Sequence, residues 1–578
     1  MPNFLRANSI EMASIAATKT GAGANALAKR CVLLFRHTDL RVHDNLCLKR
    51  ALELNVPLLP VFCFDPRYFG AKPTRYGNRR MSAKRSRFTI ESVEDLRNNL
   101  RKQGLPLYVS LETPEKALEA VCNPTSDDSK TIVITSKEPC SEEVRVDSRV
   151  RRILETKLNG SLETIWQRTM YHPDDLPAKG TIERLPLKFT PWRQVVENAK
   201  TPVRVPWSMS PNVAALTWPE EWLNRSSKGF AFLPTLGDLG HDDSGLDEGE
   251  DGGVMSDLEE GRFKGGESVA LKRLKDWIWK DDCLAKYKET RNGMLGSSYS
   301  SKFSPWLAVG CLSPRTIYAE CKRYERERVK NKSTYWLVFE LLWRDFFQFQ
   351  AVKQGNHIFL VEGPLGRTDR NYSREWPGSK SALERWKNGT TGWPLVDANM
   401  RELNATGFMS NRGRQNVASF LTLEQRVDWR HGADYFEMHL LDHDVASNYG
   451  NWCAAAGLFG GRVNRFNILK QSNDYDKSGE YVKRWIPELR DVPTQKVHAP
   501  WKMSKDEMKR SNCQIGQDYP EPLPSICEWN NKQSMSKKGQ KDYGGSKKNN
   551  RYNSNKNGRG KKKFRPPSSF KGGNIGHL

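Results

Sequence analysis

No run of apolar residues in the chain approaches 18 in length, so nothing in it reads as a membrane-spanning helix. Its 11 cysteines fall without C-x-x-C pairs or regular spacing. Neither a zinc site nor a disulfide framework is therefore indicated, and a reducing compartment fits. Acids are scarce at both ends. Residues 1–30 hold the single acid Glu11 against Arg6, Lys19, Lys29 and Arg30, and they lack a secretory apolar core. That leader reads either as a transit peptide for plastid or mitochondrion, or as the start of a cytoplasmic or nuclear protein; secretion is excluded. No G-x-G-x-x-G follows the first apolar run, which argues against an ordinary dinucleotide fingerprint.

What the chain does hold is basic charge and tryptophan. It has 578 residues, a formal net charge of +24, 37% apolar residues and 18 tryptophans. The length exceeds what one core serves, so two or more domains are expected. The charge points to a polyanion, most simply nucleic acid. Residues 530–578 carry fourteen Lys and Arg against the lone Asp542, so about half of the net charge sits in a Gly/Asn/Lys-rich tail. Such a tail binds DNA or RNA through counterion release, or serves solubility or nuclear targeting.

Along the chain, CVLLF at 31–35 reads as a buried parallel strand, followed by a polar turn, a helix in LCLKRALEL and a strand in VPLLPVFCFD. A helix over 84–103 leads to PLYVS, and TIVITS supplies a further strand. Strands alternating with helices predict a doubly wound, parallel-sheet (Rossmann-like) α/β domain over 31–206, with ligands expected at the carboxyl ends of its strands. Residues 207–265 include GDLGHDDSGLDEGEDGGVMSDLEE, with ten acids and no Lys or Arg, and read as a flexible connector. Residues 266–505 are expected to form a larger all-α domain, and 506–578 a disordered tail.

The helical region concentrates the polar signals. Ser300, Ser301, Lys302 and Ser304 offer hydroxyls, a cation and backbone N–H groups just before a helix, which suits a pyrophosphate or an ordinary helix cap. In YWLVFELLWRDFFQF, Glu340, Trp343 and Arg344 stand at i, i+3 and i+4, so they share a helix face. A plain surface ion pair is one reading of that spacing. Asn411, Arg412 and Arg414 follow an apolar helix, and Asp442, Asp444 and Asn448 cluster before Trp452. Paired carboxylates would suit a glycosidase or a metal, but neither explains the adjacent tryptophans.

TRNGMLG, SSKFSPWLAVGCLSP, FELLWRDFF, TGFMSNRGRQ, DWRHGADYFE and DHDVASNYGNW resemble the photolyase/cryptochrome family. YKETRNGMLG and FNILKQSNDYDKSGEYVKRWIPEL resemble its DASH branch, and the likeness runs from about Cys31 to Trp501. The resemblance implies a folded FAD in the all-α domain. Tyr287 and the loop of Ser300, Ser301, Lys302, Phe303 and Ser304 would hold its phosphates and ribose. Arg344, Asn411 and Arg414 would line the pocket, Asp442 and Asp444 would contact the flavin and its surroundings, and Asn448 would face flavin N5. Trp452, Trp429 and Trp376 match the proximal, middle and surface members of an electron-transfer chain that photoreduces FAD. Glu91 matches the carboxylate that meets a folate antenna, 5,10-methenyltetrahydrofolate.

The activity implied is repair of cyclobutane pyrimidine dimers by a light-driven electron from reduced FAD to a flipped-out lesion. Glu340 and Trp343 would meet the lesion, with Asn411 and Gln415 in the same pocket. Gln415 and Ala454 stand where duplex-repairing members carry methionine and tryptophan. Fewer lesion contacts leave less to offset unpairing, so a monomer acting mainly on single-stranded DNA is expected, with duplex DNA or RNA as further partners. The alternatives are a blue-light photoreceptor that signals or regulates transcription, and an RNA-binding protein with a vestigial flavin.

Overall fold

A computed structural model describes residues 28–122, 130–209, 218, 227–242, 262–366, 375–460, 463 and 465–525. The leader through residue 27, the acid-rich run 243–261 and the tail 526–578 lie outside the described residues, and the expectations for those segments with them. The chain forms two compact units. One comprises Met1–Phe359, Leu403–Phe408 and Ala433–Gly450, the other Leu360–Glu402, Met409–Gly432 and Asn451–Leu578.

The first unit is built on five parallel strands: β1 (Ala28–Phe35), β2 (Leu58–Cys63), β3 (Tyr108–Ser110), β4 (Lys130–Ser136) and β5 (Gly160–Ile165). Their order is β3-β2-β1-β4-β5, the expected doubly wound arrangement. Helices α1 (Leu46–Glu53), α2 (Ala83–Arg101), α3 (Pro114–Cys122) and α4 (Ser141–Thr156) run between successive strands. Strand β2 is buried at every position, as a sheet covered on both faces requires. Val32, Leu34, Leu59, Val61 and Val133 pack on one face with Leu118, Val121, Val146, Val150 and Leu154 from α3 and α4. Side-chain caps from Asn45 and Ser82 start α1 and α2.

Helices α5 (Phe189–Asn198), α6 (Glu267–Lys275), α7 (Pro314–Glu327) and α8 (Lys332–Gln354) complete the part of this unit used below. Helix α8 opens with a capping box between Asn331 and Thr334. Apolar and aromatic residues occupy most of its faces, so much of it runs through the unit's interior.

The loop after β1 is tied down by a buried ion pair. Arg315 grips Asp44 through Nη2–Oδ1 at 2.8 Å and Nε–Oδ2 at 2.9 Å, with side chains only 3% and 1% exposed. Ser313 Oγ and the Trp207 N–H also donate to the Asp44 carboxylate. Gly310 lies against the same loop with φ +71°, and a Cβ there would run into the Thr38 carbonyl, so only glycine fits.

Two segments expected to lack packing are folded where the structure describes them. Within 207–265, Trp218 is buried in the core under β1 and β2, and His241 Nε2 lies 2.8 Å from Ser86 Oγ. The ten acids of 237–260 masked the buried Leu239 among them. Beyond 505, Lys505–Arg510 is helical, and the fully buried Tyr519 donates to Asp397 Oδ2 at 2.5 Å within the second unit. The folded chain thus reaches residue 525.

The second unit holds helices α9 (Lys380–Lys387), α10 (Asn411–Ser419), α11 (Ile468–Tyr475) and α12 (Glu480–Trp485), and a polar knot at Asp397. Its carboxylate accepts from Thr391 N, Thr391 Oγ1 and Gly392 N as well as from Tyr519.

Removing one partner of a buried pair leaves an uncompensated charge. Asp44→Ala should therefore cost about 3–5 kcal/mol, read from the first unfolding transition in urea. A loss below about 1 kcal/mol would show that the pair does not anchor the loop.

Candidate functional site

In the first unit, the reversal of strand order between β1 and β4 opens a crevice at their carboxyl ends, where doubly wound sheets hold ligands. Here the protein's own charges occupy most of it. Arg168, following β5, donates from Nη1 to Glu138 Oε2 at 2.7 Å and from Nη2 to Asp444 Oδ2. Gln348 of α8 donates to both Asp444 oxygens at 2.7 and 2.9 Å, and the Ser447 N–H adds a bond of 2.8 Å. A cavity of ≈ 20 Å³ remains, lined by His37, Thr38, Glu138, Cys140, His443 and Asp444, with room for about one water molecule. Burial and the surrounding guanidinium groups push His37 down to about 3 and His443 well below its ordinary range, so both rings are neutral.

Arg344 belongs to the same network and not to a pair with Glu340. Its guanidinium donates to the Arg168 carbonyl and, at 3.4 Å, to the Leu307 carbonyl. Glu340 instead pairs with Arg291 at 2.5 Å, the two side chains 7% and 5% exposed. Arg291 also bonds the Tyr287 hydroxyl, whose ring meets Trp277 edge-on. The i, i+4 spacing of Glu340 and Arg344 thus misleads, because a partner distant in sequence supplies the stronger geometry. Trp343, half-buried, stacks on Phe189 with ring centroids 3.7 Å apart and planes 13° from parallel.

The 297–304 loop is shaped by Arg273, which donates to the carbonyls of Ser297, Ser300 and Ser301. In a trans peptide the N–H opposes the carbonyl, so the Ser301 N–H faces away from Arg273. Lys302 adopts φ +54°, a left-handed conformation that costs about 1–2 kcal/mol for a residue with a Cβ. Its ammonium lies 4.4 Å from the Tyr299 ring and 4.7 Å from the Phe408 ring. Phe303 is buried against Trp277, and Ser304 begins a short helix, Ser304–Ala308. Asn448 donates from Nδ2 to the Ala433 carbonyl at 2.9 Å, and Asp442 lies on the turn before the helix Val445–Ala455. On α2, Glu91 holds Arg262 at 2.8 Å and accepts the Gly265 N–H at 2.7 Å.

In the second unit, Ser410 caps α10, and Asn411 is its first residue. Arg412 donates to Gln415 Oε1 at 2.9 Å and stacks over Tyr475 at 4.4 Å; Arg414 Nε donates to the Met409 carbonyl at 2.8 Å. Gly413 presses on the Asn399 side chain so closely that any Cβ would collide. Trp452 is fully buried, edge-on to Trp386 with centroids 6.2 Å apart, and the ring fills the space beside Gly432. Trp429, also fully buried, donates to the Val361 carbonyl at 3.2 Å; Trp376 is half-buried.

Sequence reasoning did not single out Arg168, Glu138, Gln348, Arg291 or Trp386. The signal for the first two was available as polar residues just past strands β4 and β5, where a parallel sheet places its ligand crevice. The others depend on contacts that no local pattern reports.

Two buried acceptors test the fit to a flavin. Asn448 Oδ1 and Asn411 Oδ1 are shielded from solvent and accept no hydrogen bond among the described residues. Buried polar atoms are nearly always satisfied, so each marks a place for a donor from elsewhere. A flavin ring carries such N–H donors, and Arg344 and Lys302 are cations suited to its phosphates. In donor set and charge, the residues present fit FAD.

Residues 336–538 match the family model described as the FAD binding domain of DNA photolyase, and residues 31–209 match the model described as DNA photolyase. The chain is 46% identical over 511 residues to a chloroplastic/mitochondrial cryptochrome DASH of Ostreococcus tauri, covering 86% of this chain and 90% of the relative. It is 44% identical to a cryptochrome DASH of Gloeobacter violaceus, covering 87% and 94%. Among solved structures, a Synechocystis cryptochrome matches with a TM-score of 0.73 at 40% identity, over 88% of this chain and 99% of that one.

Burial raises the Asp444 carboxyl, but Arg168, Arg344 and the Ser447 N–H outweigh it and hold the group well below the ordinary carboxylate range. A carboxyl depressed by folding stabilises above its unfolded value near 4, and that contribution is lost as pH falls towards its folded value. Asp444→Asn should flatten the stability loss below pH 4 and lower stability at pH 7 by about 3–5 kcal/mol. An unchanged acid limb in urea titrations would contradict this assignment.

Proposed function

The chain belongs to the photolyase/cryptochrome family, in its cryptochrome DASH branch, and on that footing we propose a light-driven, FAD-dependent photolyase that splits cyclobutane pyrimidine dimers, chiefly in single-stranded DNA. The observation that carries the reading is the Arg291–Glu340 pair, held by Tyr287 one helical turn from Trp343. A carboxylate and a guanidinium fixed against each other present hydrogen-bonding positions to the carbonyl and N–H edges of a pyrimidine pair. The guanidinium also opposes negative charge as it develops on those carbonyls, and in a dry pocket this acts with little reorganisation. The Phe189 stack fixes the Trp343 plane, so the indole meets an extruded base in one orientation.

FAD, when bound, supplies the photoexcited electron that the cleavage uses and regains. Asn448 Oδ1 would accept a flavin N–H and hold that proton in place. Lys302 and the Ser301 N–H would meet the pyrophosphate. Trp452, Trp429 and Trp376 would deliver electrons that restore the reduced cofactor. Gln415 and Ala454 offer few contacts to an extruded lesion, which favours a strand that needs no unpairing. Glu91, 15% exposed, keeps lone pairs beyond those used by Arg262 and Gly265, and would take the pterin of a folate antenna. The acid-poor leader and the chloroplastic/mitochondrial relatives support import into an organelle.

Reduced protein under blue light should restore dimer-containing oligo(dT), read by recovery of absorbance at the thymine band. Bound, photoreducible FAD with no restoration would sink the enzyme reading and leave the receptor. A second outcome concerns the tryptophans. Trp452→Phe should slow FAD photoreduction at least tenfold, because a phenyl ring is far harder to oxidise than an indole. Unchanged kinetics would remove Trp452 from the path.

A further inference from the structure

The aromatic content of α8 continues beyond the two residues assigned to the lesion. Lys332, Trp336, Phe339 and Trp343 follow one another at spacings of four, three and four, so they form a single stripe along the helix. Lys332 is exposed, and the three rings are half-buried where a core stripe would be covered. The rings step along the surface at short intervals. Trp336 to Phe339 is 5.0 Å between centroids, with planes 33° apart, and Phe339 to Trp343 is 6.5 Å.

Cations flank this row. Lys288 Nζ lies 5.6 Å from the Trp336 ring, and the Arg193 guanidinium lies 5.4 Å from the Phe339 ring. Both are half-exposed. Two carboxylates nearby are matched, Glu340 by Arg291 and Glu197 by Arg193 at 3.5 Å, and Glu289 accepts from Ser333 Oγ at 2.7 Å. The half-exposed row thus carries a cation over Phe339 and, with Arg291 at 5.3 Å, two over Trp336, and it ends at the residues that would meet the lesion.

We infer that Trp336 and Phe339 form a stacking track for the unpaired bases of the DNA strand next to the reacting dimer, with Lys332, Lys288 and Arg193 tracking its phosphates. The inference rests on the proposed function for its polarity, since Trp343 and Glu340 mark the lesion end. Aromatic faces accept any base, and cations at their edges take the backbone, which is how sequence-tolerant single-strand binding works. A duplex keeps its bases stacked inside and would leave the rings bare. The track thus makes single-strand preference a property of this surface as well as of the lesion pocket.

The test is dark equilibrium binding of the full flavin-loaded chain to an oligo(dT) strand carrying one central dimer. It is compared with the same strand bearing abasic sites on both flanks of the dimer. The intact strand should bind on the order of tenfold more tightly, as removal of a stacked base brings. Trp336→Leu, which keeps an apolar side chain, should lose that margin and bind both strands alike, while Trp336→Phe should retain most of it. Equal binding of both strands by the wild type would overturn the inference without any variant, as would a Trp336→Leu protein still sensitive to the abasic flanks. Because binding is read in the dark, a flank effect without repair would sink only the enzyme reading.

Discussion

An arginine cannot give up its charge, so a buried one dictates where its partners stand. Arg168, with its side chain 4% exposed, holds this position in the first unit. Its two arms reach Glu138 at the carboxyl end of β4 and Asp444 just before the helix Val445–Ala455, while its carbonyl receives Arg344. One cation therefore registers the sheet against the segment that carries Asn448 and against the helix that carries Glu340 and Trp343. Among these charges at the strand ends lies a cavity of ≈ 20 Å³, about the volume that holds one water molecule. In this unit Asp444 lines the crevice, and Asn448 follows it on the helix Val445–Ala455.

The sheet was legible because fully buried parallel strands leave continuous apolar runs, as in CVLLF and LLPVFC. The limits of packing were less legible. Trp218 precedes the acidic run and Leu239 lies within it, both buried, and Tyr519 lies beyond the last apolar-periodic helix; Trp218 and Tyr519 are placed by partners far away in sequence. The candidate site shows the same division. Motif resemblance picked out Glu340, Arg344, Asp444 and Asn448, but spacing alone suggested a Glu340–Arg344 pair. The structure gives Glu340 to Arg291 and Arg344 to backbone carbonyls. Helical periodicity names the residues that can meet within one helix. It is silent about a better partner brought by tertiary packing.

The aromatic residues divide by environment into two kinds. In the second unit Trp386, Trp429 and Trp452 are completely buried, with two of the three indole N–H groups donated to backbone carbonyls. Rings held that rigidly, away from water, suit electron transfer because little around them must reorganise. Along α8 the rings are half-exposed and bordered by Lys332, Lys288 and Arg193, an arrangement suited to binding a strand. The same side-chain chemistry thus suits electron transfer where it is dry and would suit recognition where it is wet.

The central claim is that the buried amide oxygen of Asn448 is completed by a flavin. The most direct measurement is the flavin content of the purified chain, by absorbance after heat release, for the wild type and for Asn448→Leu. One FAD per wild-type chain, with a marked loss in a folded Asn448→Leu protein, is the result expected. A folded wild-type chain that carries no FAD and takes up none on reconstitution would contradict the account.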